Sequence, residues 1–224
     1  MMDAATRAGR VLGVLHQQRF HPANRQMIEL CRQGALGRLL SVRMQIAMWY
    51  PTAGAWRGDS AMSGGGAAMD LGPHAIDLLR QIMGSPVRIE ARSANLQFKT
   101  DVEDHCTARL EFNSGAIAHL EFSYCSHHYG GRIELYGDVG TLIIDGSLQQ
   151  AQHYSTTLRI GDQIEEPVRT PATHDCFRSA IEDFSDAINH GRPPSVTAAD
   201  GVESIRCIEA LYRSAATLEA VRLD

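Results

Sequence analysis

Three side chains in the first half of the chain have the types and the spacing for proton transfer. In the run Gly64-Gly65-Gly66-Ala67-Ala68-Met69-Asp70-Leu71-Gly72-Pro73-His74-Ala75-Ile76-Asp77, the residues Asp70, His74 and Asp77 stand at i, i+4 and i+7. A helix puts all three on one face. An imidazole beside carboxylates can be held in one tautomer with its pKa raised toward neutrality, which suits general acid–base work. His74, Asp70 and Asp77 are therefore the candidate catalytic residues. Pro73 fits the first turn of such a helix, which would leave Asp70 at its mouth. The glycines let the backbone approach something closely. Two other readings stand beside this one: a capping Asp with a surface His, and a metal site of His and carboxylates. No further paired ligands occur at matching spacing, and His127-His128 would point to opposite faces of a strand, so no metal is expected.

The surrounding pattern shows what must position these groups. Residues 3–9 read as a short helix and Val11–Leu15 as an apolar strand. Pro22 opens a helix to about Gln33, with Gly34 as its stop. Leu40, Val42, Met44, Ile46 and Met48 alternate with polar or small residues, the mark of a one-sided strand. A polar and aromatic loop, Trp49–Met62, leads to the glycine run and a helix up to Gly84. Strands follow at Val87–Gln97, 106–112, 118–124, Arg132–Tyr136 and Thr141–Asp145, with weaker ones near 148–154 and 157–164. Asn113-Ser114-Gly115 makes one tight turn. Short connections predict antiparallel neighbours. Two helices close the chain, marked by Phe177, Ile181, Phe184 and Ile188, then by Val202, Ile205, Ile208 and Tyr212, with Thr197 as N-cap of the second. The class is α+β: a large, predominantly antiparallel sheet of roughly six strands, with helices packed on one face. The other face, carrying Arg109, Glu111, His119 and Glu121, is wet or meets a partner.

Composition narrows the classes further. Of 224 residues, 44% are hydrophobic and 21% charged, which is globular. A net charge of −5 argues against a nucleic-acid or anionic-membrane surface, and no apolar stretch near the N-terminus is long enough for a membrane span. Five scattered cysteines with no C-x-x-C pair fit a reduced, cytoplasmic setting.

The glycine run with D-x-G-x-H-x-x-D resembles the C-terminal domain of the glucose–fructose oxidoreductase / inositol dehydrogenase / rhizopine-catabolism (Gfo/Idh/MocA) family. So do Arg19-Phe20-His21-Pro22, Gly34-Ala35-Leu36-Gly37, Trp56-Arg57, Tyr136-Gly137-Asp138-Val139-Gly140-Thr141 and Ile208-Glu209-Ala210-Leu211-Tyr212-Arg213-Ser214. The resemblance covers nearly the whole chain from about residue 10. It implies that His74 is the acid/base for a reacting hydroxyl, that Asp70 orients it or binds substrate, and that Arg19, Trp56 and Arg57 line the pocket. It further implies a sugar, cyclitol or polyol substrate and, for the family, NAD(P).

The sequence departs from the family in one respect. No G-x-G-x-x-G follows an N-terminal strand, and no lysine precedes Lys99, whereas the family has a catalytic lysine in a Glu-Lys-Pro motif just before the equivalent of this start. Residues 1–16 are therefore expected to be the last helix and strand of a Rossmann-type domain, and 17–224 the substrate and oligomerisation domain. No cofactor is expected for this chain alone, and no stand-alone dehydrogenase activity. The expected partners are a sugar-like or polyol substrate, a second copy in a homodimer, and a Rossmann-bearing chain, with no nucleic acid and no membrane. The alternatives are a cofactor-independent hydrolase, lyase or isomerase at the Asp70/His74 pocket, and a non-catalytic binding protein.

Overall fold

The N-terminal helix α1 (Met2–Arg7) is followed by an extended segment and a 3-10 turn at Gln17–Phe20. A computed structural model gives this architecture and describes residues 1–148, 153–164, 168–171 and 175–223. Helix α2 (Pro22–Arg32) starts where Pro22 supplies a preset φ and where His21 accepts a hydrogen bond from the Ala23 N–H. Gly34, at φ +71°, lets the chain turn out of it. Strand β1 (Leu39–Trp49) buries Val42, Met44 and Ile46 on its inner face.

A loop with a short helix α3 (Ser60–Ser63) then leads to helix α4 (Ala67–Met83), which buries Ala68, Leu71, Ala75, Ile76, Leu78 and Leu79. The strands β2 (Pro86–Ala94), β3 (His105–Phe112), β4 (Ile117–Ser123), β5 (Cys125–Gly137) and β6 (Gly140–Asp145) follow. Beyond them come β7 (His153–Ile160), β8 (Gln163–Ile164) and β9 (Val168–Pro171). Helices α5 (Cys176–Asn189) and α6 (Ala198–Thr217) and a last strand β10 (Val221–Arg222) end the chain.

All ten strands join one sheet, in the order β10-β2-β3-β4-β1-β5-β6-β7-β8, with β9 also on β7. Period-two burial places Cys106, Ala108, Leu110 and Phe112 of β3 inside, opposite the buried Phe122, Leu120 and Ala118 of β4. Each such side chain removed from water contributes about 1–3 kcal/mol. The α+β class expected from the pattern is the class found, but three details differ.

Among the described residues the sheet has ten strands rather than six, because short edge pieces such as β8 and β10 carry too few residues to show a period. One pair, β1 with β4, is parallel: β4 and β5 are separated by Tyr124 alone, yet β1 lies between them. The short-connection argument cannot detect a strand inserted from far upstream. Finally, Val11–Leu15 is not a strand. It makes a single bridge, Gly13 to Thr197, and leaves Val11, Val14 and Leu15 exposed, since no sheet neighbour is offered to it. Part of the expected strand near 148–154, residues 149–152, lies outside the described residues.

The glycine run has a packing explanation. The Gly66 and Ala68 N–H groups donate to the Glu103 carboxylate at 3.1 and 2.9 Å, and the Ala67 N–H to its carbonyl at 3.0 Å. Glu103 thereby caps α4 from the β2–β3 connection, with the Tyr212 hydroxyl donating to it from α6 at 2.8 Å. A methyl group on Gly66 would lie 1.8 Å from the Glu103 carbonyl oxygen. Gly66→Ala is expected to lower the unfolding free energy by at least ~2 kcal/mol in urea titration. Gly84→Ala would meet no atom within 4 Å but sits at φ +76° and ψ −164°, a region held almost only by glycine, so backbone strain of about 1–3 kcal/mol without a clash is expected there.

Candidate active site

Helix α4 carries Asp70, His74 and Asp77 as the spacing required, but it delivers them to different surroundings. Because the helix begins at Ala67, Pro73 lies inside it rather than in its first turn, while Asp70 belongs to that first turn.

Asp77 is wholly buried and faces inward. Both its oxygens are taken by Arg19, whose Nε donates to Oδ2 at 2.6 Å and Nη2 to Oδ1 at 2.5 Å. The same guanidinium donates from Nη1 to the Ser195 carbonyl at 2.8 Å and lies 3.1 Å from Asp200 Oδ1. Asp200 in turn accepts from the Thr197 N–H and hydroxyl in the capping box of α6, and stands 3.6 Å from Arg80. Arg19 and Asp77 therefore tie the 3-10 turn, α4 and the start of α6 to one another.

Asp70 faces the more open side. Its Oδ2 accepts a hydrogen bond from the Tyr124 hydroxyl at 2.7 Å and lies 3.5 Å from Arg57 Nε. Arg57 donates to the Tyr50 hydroxyl at 3.2 Å and stacks over the Trp56 ring at 4.4 Å. Burial and then the Asp70 charge push the Tyr124 phenol far above its ordinary pKa, so it remains a donor to Asp70.

His74 lies between these two groups, half-buried, with Nδ1 sealed from solvent and without a hydrogen-bond partner. Among the described residues neither Asp70 nor Asp77 hydrogen-bonds the imidazole. Burial, and next His16, hold its pKa below 6.5 against the opposing pull of Asp70 and Asp77. At neutral pH the ring is uncharged and able to accept a proton.

The structure thus sets Asp70, His74 and Asp77 along one face of α4, with Arg57 and Trp56 at the Asp70 end and Arg19 at the Asp77 end. Sequence reasoning missed Tyr124, which reads as the last apolar residue of a strand. It also missed Glu103 and His16, for which the pattern gives no signal. A concavity of about 520 Å³ lies elsewhere, on the polar outer face of the sheet among Arg43, Gln45, Arg109, Glu121 and Glu134.

Comparison with known proteins adds four findings. The GFO/IDH/MocA C-terminal domain model matches residues 24–143. The chain is 30% identical over 227 residues to the 1,5-anhydro-D-fructose reductase of Ensifer adhaerens, spanning 100% of this chain and 68% of that protein. It is 29% identical over 233 residues to D-xylose 1-dehydrogenase (NADP(+)) 2 of Haloferax volcanii, again spanning 68% of the relative. The crystal structure of the aldose-aldose oxidoreductase from Caulobacter crescentus, complexed with glycerol, superposes with a TM-score of 0.88 at 29% identity, covering 99% of this chain and 67% of that one.

Three expectations follow from the geometry and electrostatics of the site. Asp77→Asn leaves Arg19 buried with its principal counter-charge gone, and should lower stability by about 2–4 kcal/mol in urea titration. Asp70→Asn, at a more exposed position, should cost under ~1 kcal/mol. His16 and His74 both have folded pKa values held below 6.5, so their stabilising contribution is complete above that pH and is lost as the pH falls through the folded values. Urea midpoints should decline from about pH 6.5 downward, and a flat profile to about pH 5 would contradict this.

Proposed function

The chain belongs to the GFO/IDH/MocA family through that family's C-terminal domain, and we propose that it forms the substrate half of a sugar or polyol oxidoreductase site centred on His74. The observation that carries this reading is an uncharged imidazole at neutral pH beside an anchored carboxylate, Asp70, with aromatic rings at hand. His74 would take the proton from a substrate hydroxyl when a nicotinamide held outside these residues accepts the hydride from its carbon, and would return the proton in the reverse direction. Asp70, held by Tyr124 and Arg57, accepts a hydrogen bond from a neighbouring hydroxyl and fixes the ring. Trp56, half exposed, offers an apolar edge to the sugar. Arg19 and Asp77 support the site from below, since their strong polar contacts are all made within the protein.

The described residues do not fit a dinucleotide. The glycine run is filled by Glu103 and Tyr212, and the α4 N-terminal amides, where a phosphate would sit, already hold a carboxylate. In this reading NAD(P) is held by a dinucleotide-binding unit outside these 224 residues. The apolar strip of Val11, Val14, Leu15, Val202 and Ile205, with Val14 lying directly over Gly201, supplies its docking surface. The outer face of the sheet alternates cations and carboxylates, among them Arg43 with Glu134 and Arg109 with Glu111, and suits self-association of two copies. The cysteines are free, as a reducing compartment such as the cytoplasm allows, and no described helix is long and apolar enough to cross a membrane.

Calorimetric titration separates these elements. An aldose such as D-xylose, or glycerol, should give saturable heat with the chain, abolished by Asp70→Ala and retained by His74→Ala. Saturable binding of NADH or NADPH in the micromolar range would overturn the assignment of the cofactor to another unit. Light scattering should report a dimer, and a monomer at micromolar concentration would remove the role given to the outer face.

A further inference from the structure

We infer that His16 is a positioning residue for His74, and that the two imidazoles form one proton-accepting pair that takes up a single proton rather than two. The inference rests on the reading of His74 as the group that exchanges the substrate proton.

The backbone of His16 is held from both sides. Its N–H donates to the Val14 carbonyl at 3.1 Å, and its carbonyl accepts from the Arg19 N–H at 3.1 Å. The ring is 4% exposed, and among the described residues it is the one side chain with two buried nitrogens lacking any hydrogen-bond partner. Burying such a group without a partner costs about 1–3 kcal/mol, whereas an apolar ring of similar shape would fill the same space without that cost. Packing alone therefore does not account for a histidine here.

The groups that face it come from three elements. Helix α4 contributes Asp77 and Arg80 and, by ring contact, His74, the 3-10 turn contributes Arg19, and α6 contributes Asp200. Its Nε2 stands 3.9 Å from Asp77 Oδ1, within ion-pair reach but too long for a hydrogen bond. That carboxylate is already engaged by Arg19. The cluster contains two cations, Arg19 and Arg80, and two carboxylates, Asp77 and Asp200, so it balances without any charge on His16. The His16 and His74 rings meet edge to face, with centroids 5.7 Å apart and planes at 81°.

Two consequences follow from this contact. The neighbouring ring fixes the orientation of His74, whose Nδ1 has no hydrogen bond to do so. A proton on either imidazole also opposes a second on its neighbour, because no free carboxylate is left to compensate. The pair therefore carries one proton at a time, and a proton on either ring lowers the other's affinity for one.

The test is an NMR pH titration of the imidazole resonances in the 224-residue chain, in His16→Phe and in His74→Phe. Phenylalanine keeps an edge-to-face ring and removes the ionisable group. In His16→Phe the His74 midpoint should rise by roughly half a pH unit or more. Because the coupling free energy is shared, the His16 midpoint should also rise in His74→Phe, the two rises together amounting to the coupling. A purely structural His16 would leave the His74 midpoint where it was, and that result overturns the inference. If His16→Phe does not fold, the more exposed His74→Phe reads the same coupling from the other side, and an unmoved His16 midpoint there also overturns it. Failure of the underlying reading looks different: the midpoints would move as expected, but saturating D-xylose would leave the His74 resonances unshifted.

Discussion

A guanidinium and a carboxylate lie out of water beneath helix α4, and the placement of the site depends on their contact. Arg19 and Asp77 come from segments far apart in sequence, and desolvating each charge opposes folding by several kcal/mol. That opposition is offset by the two-point geometry and by the further partners at Asp200 and the Ser195 carbonyl. Since one carboxylate can meet one planar fork in only a few ways, the pair fixes the rotation of α4 about its axis. With Asp77 buried on that face, His74 and Asp70, one and two turns earlier on the same face, lie toward the end of the helix where the surroundings are more open.

The other end of the same helix is fixed by a second charge, the Glu103 carboxylate on the first amides of α4. Between these two anchors the helix rests on the buried faces of β3 and β4, and the hydroxyl of Tyr124, immediately after β4, reaches Asp70. Proton chemistry at His74 is thus set by three distinct environments on one helix. One carboxylate is neutralised from below, one is anchored beside the open side, and an imidazole between them is kept uncharged by burial and by a second imidazole.

Much of this was legible beforehand, for physical reasons that can be named. The strands 106–112 and 118–124 bury one face only, so period two shows them plainly. Thr197 caps α6 with its own side chain and Asp200, a local motif that four consecutive residues reveal. The helical spacing of Asp70, His74 and Asp77 is equally local. What spacing cannot show is which partner each side chain meets across the fold. Asp77 read as a third catalytic group because its partner Arg19 is 58 residues away, and the glycine run read as room for an approaching group because Glu103 lies 37 residues downstream of Gly66. The parallel placement of β1 beside β4 is hidden for the same reason: it is decided by the sheet as a whole and not by the connections on either side of it.

The most direct test of this account is a crystal structure of the chain with D-xylose bound. The account requires a sugar hydroxyl within hydrogen-bond distance of the His74 ring, a second on Asp70, and Arg19 still locked to Asp77 beneath them. A sugar seated instead on the polar outer face of the sheet, or one that draws Arg19 away from Asp77 to meet it, would contradict it.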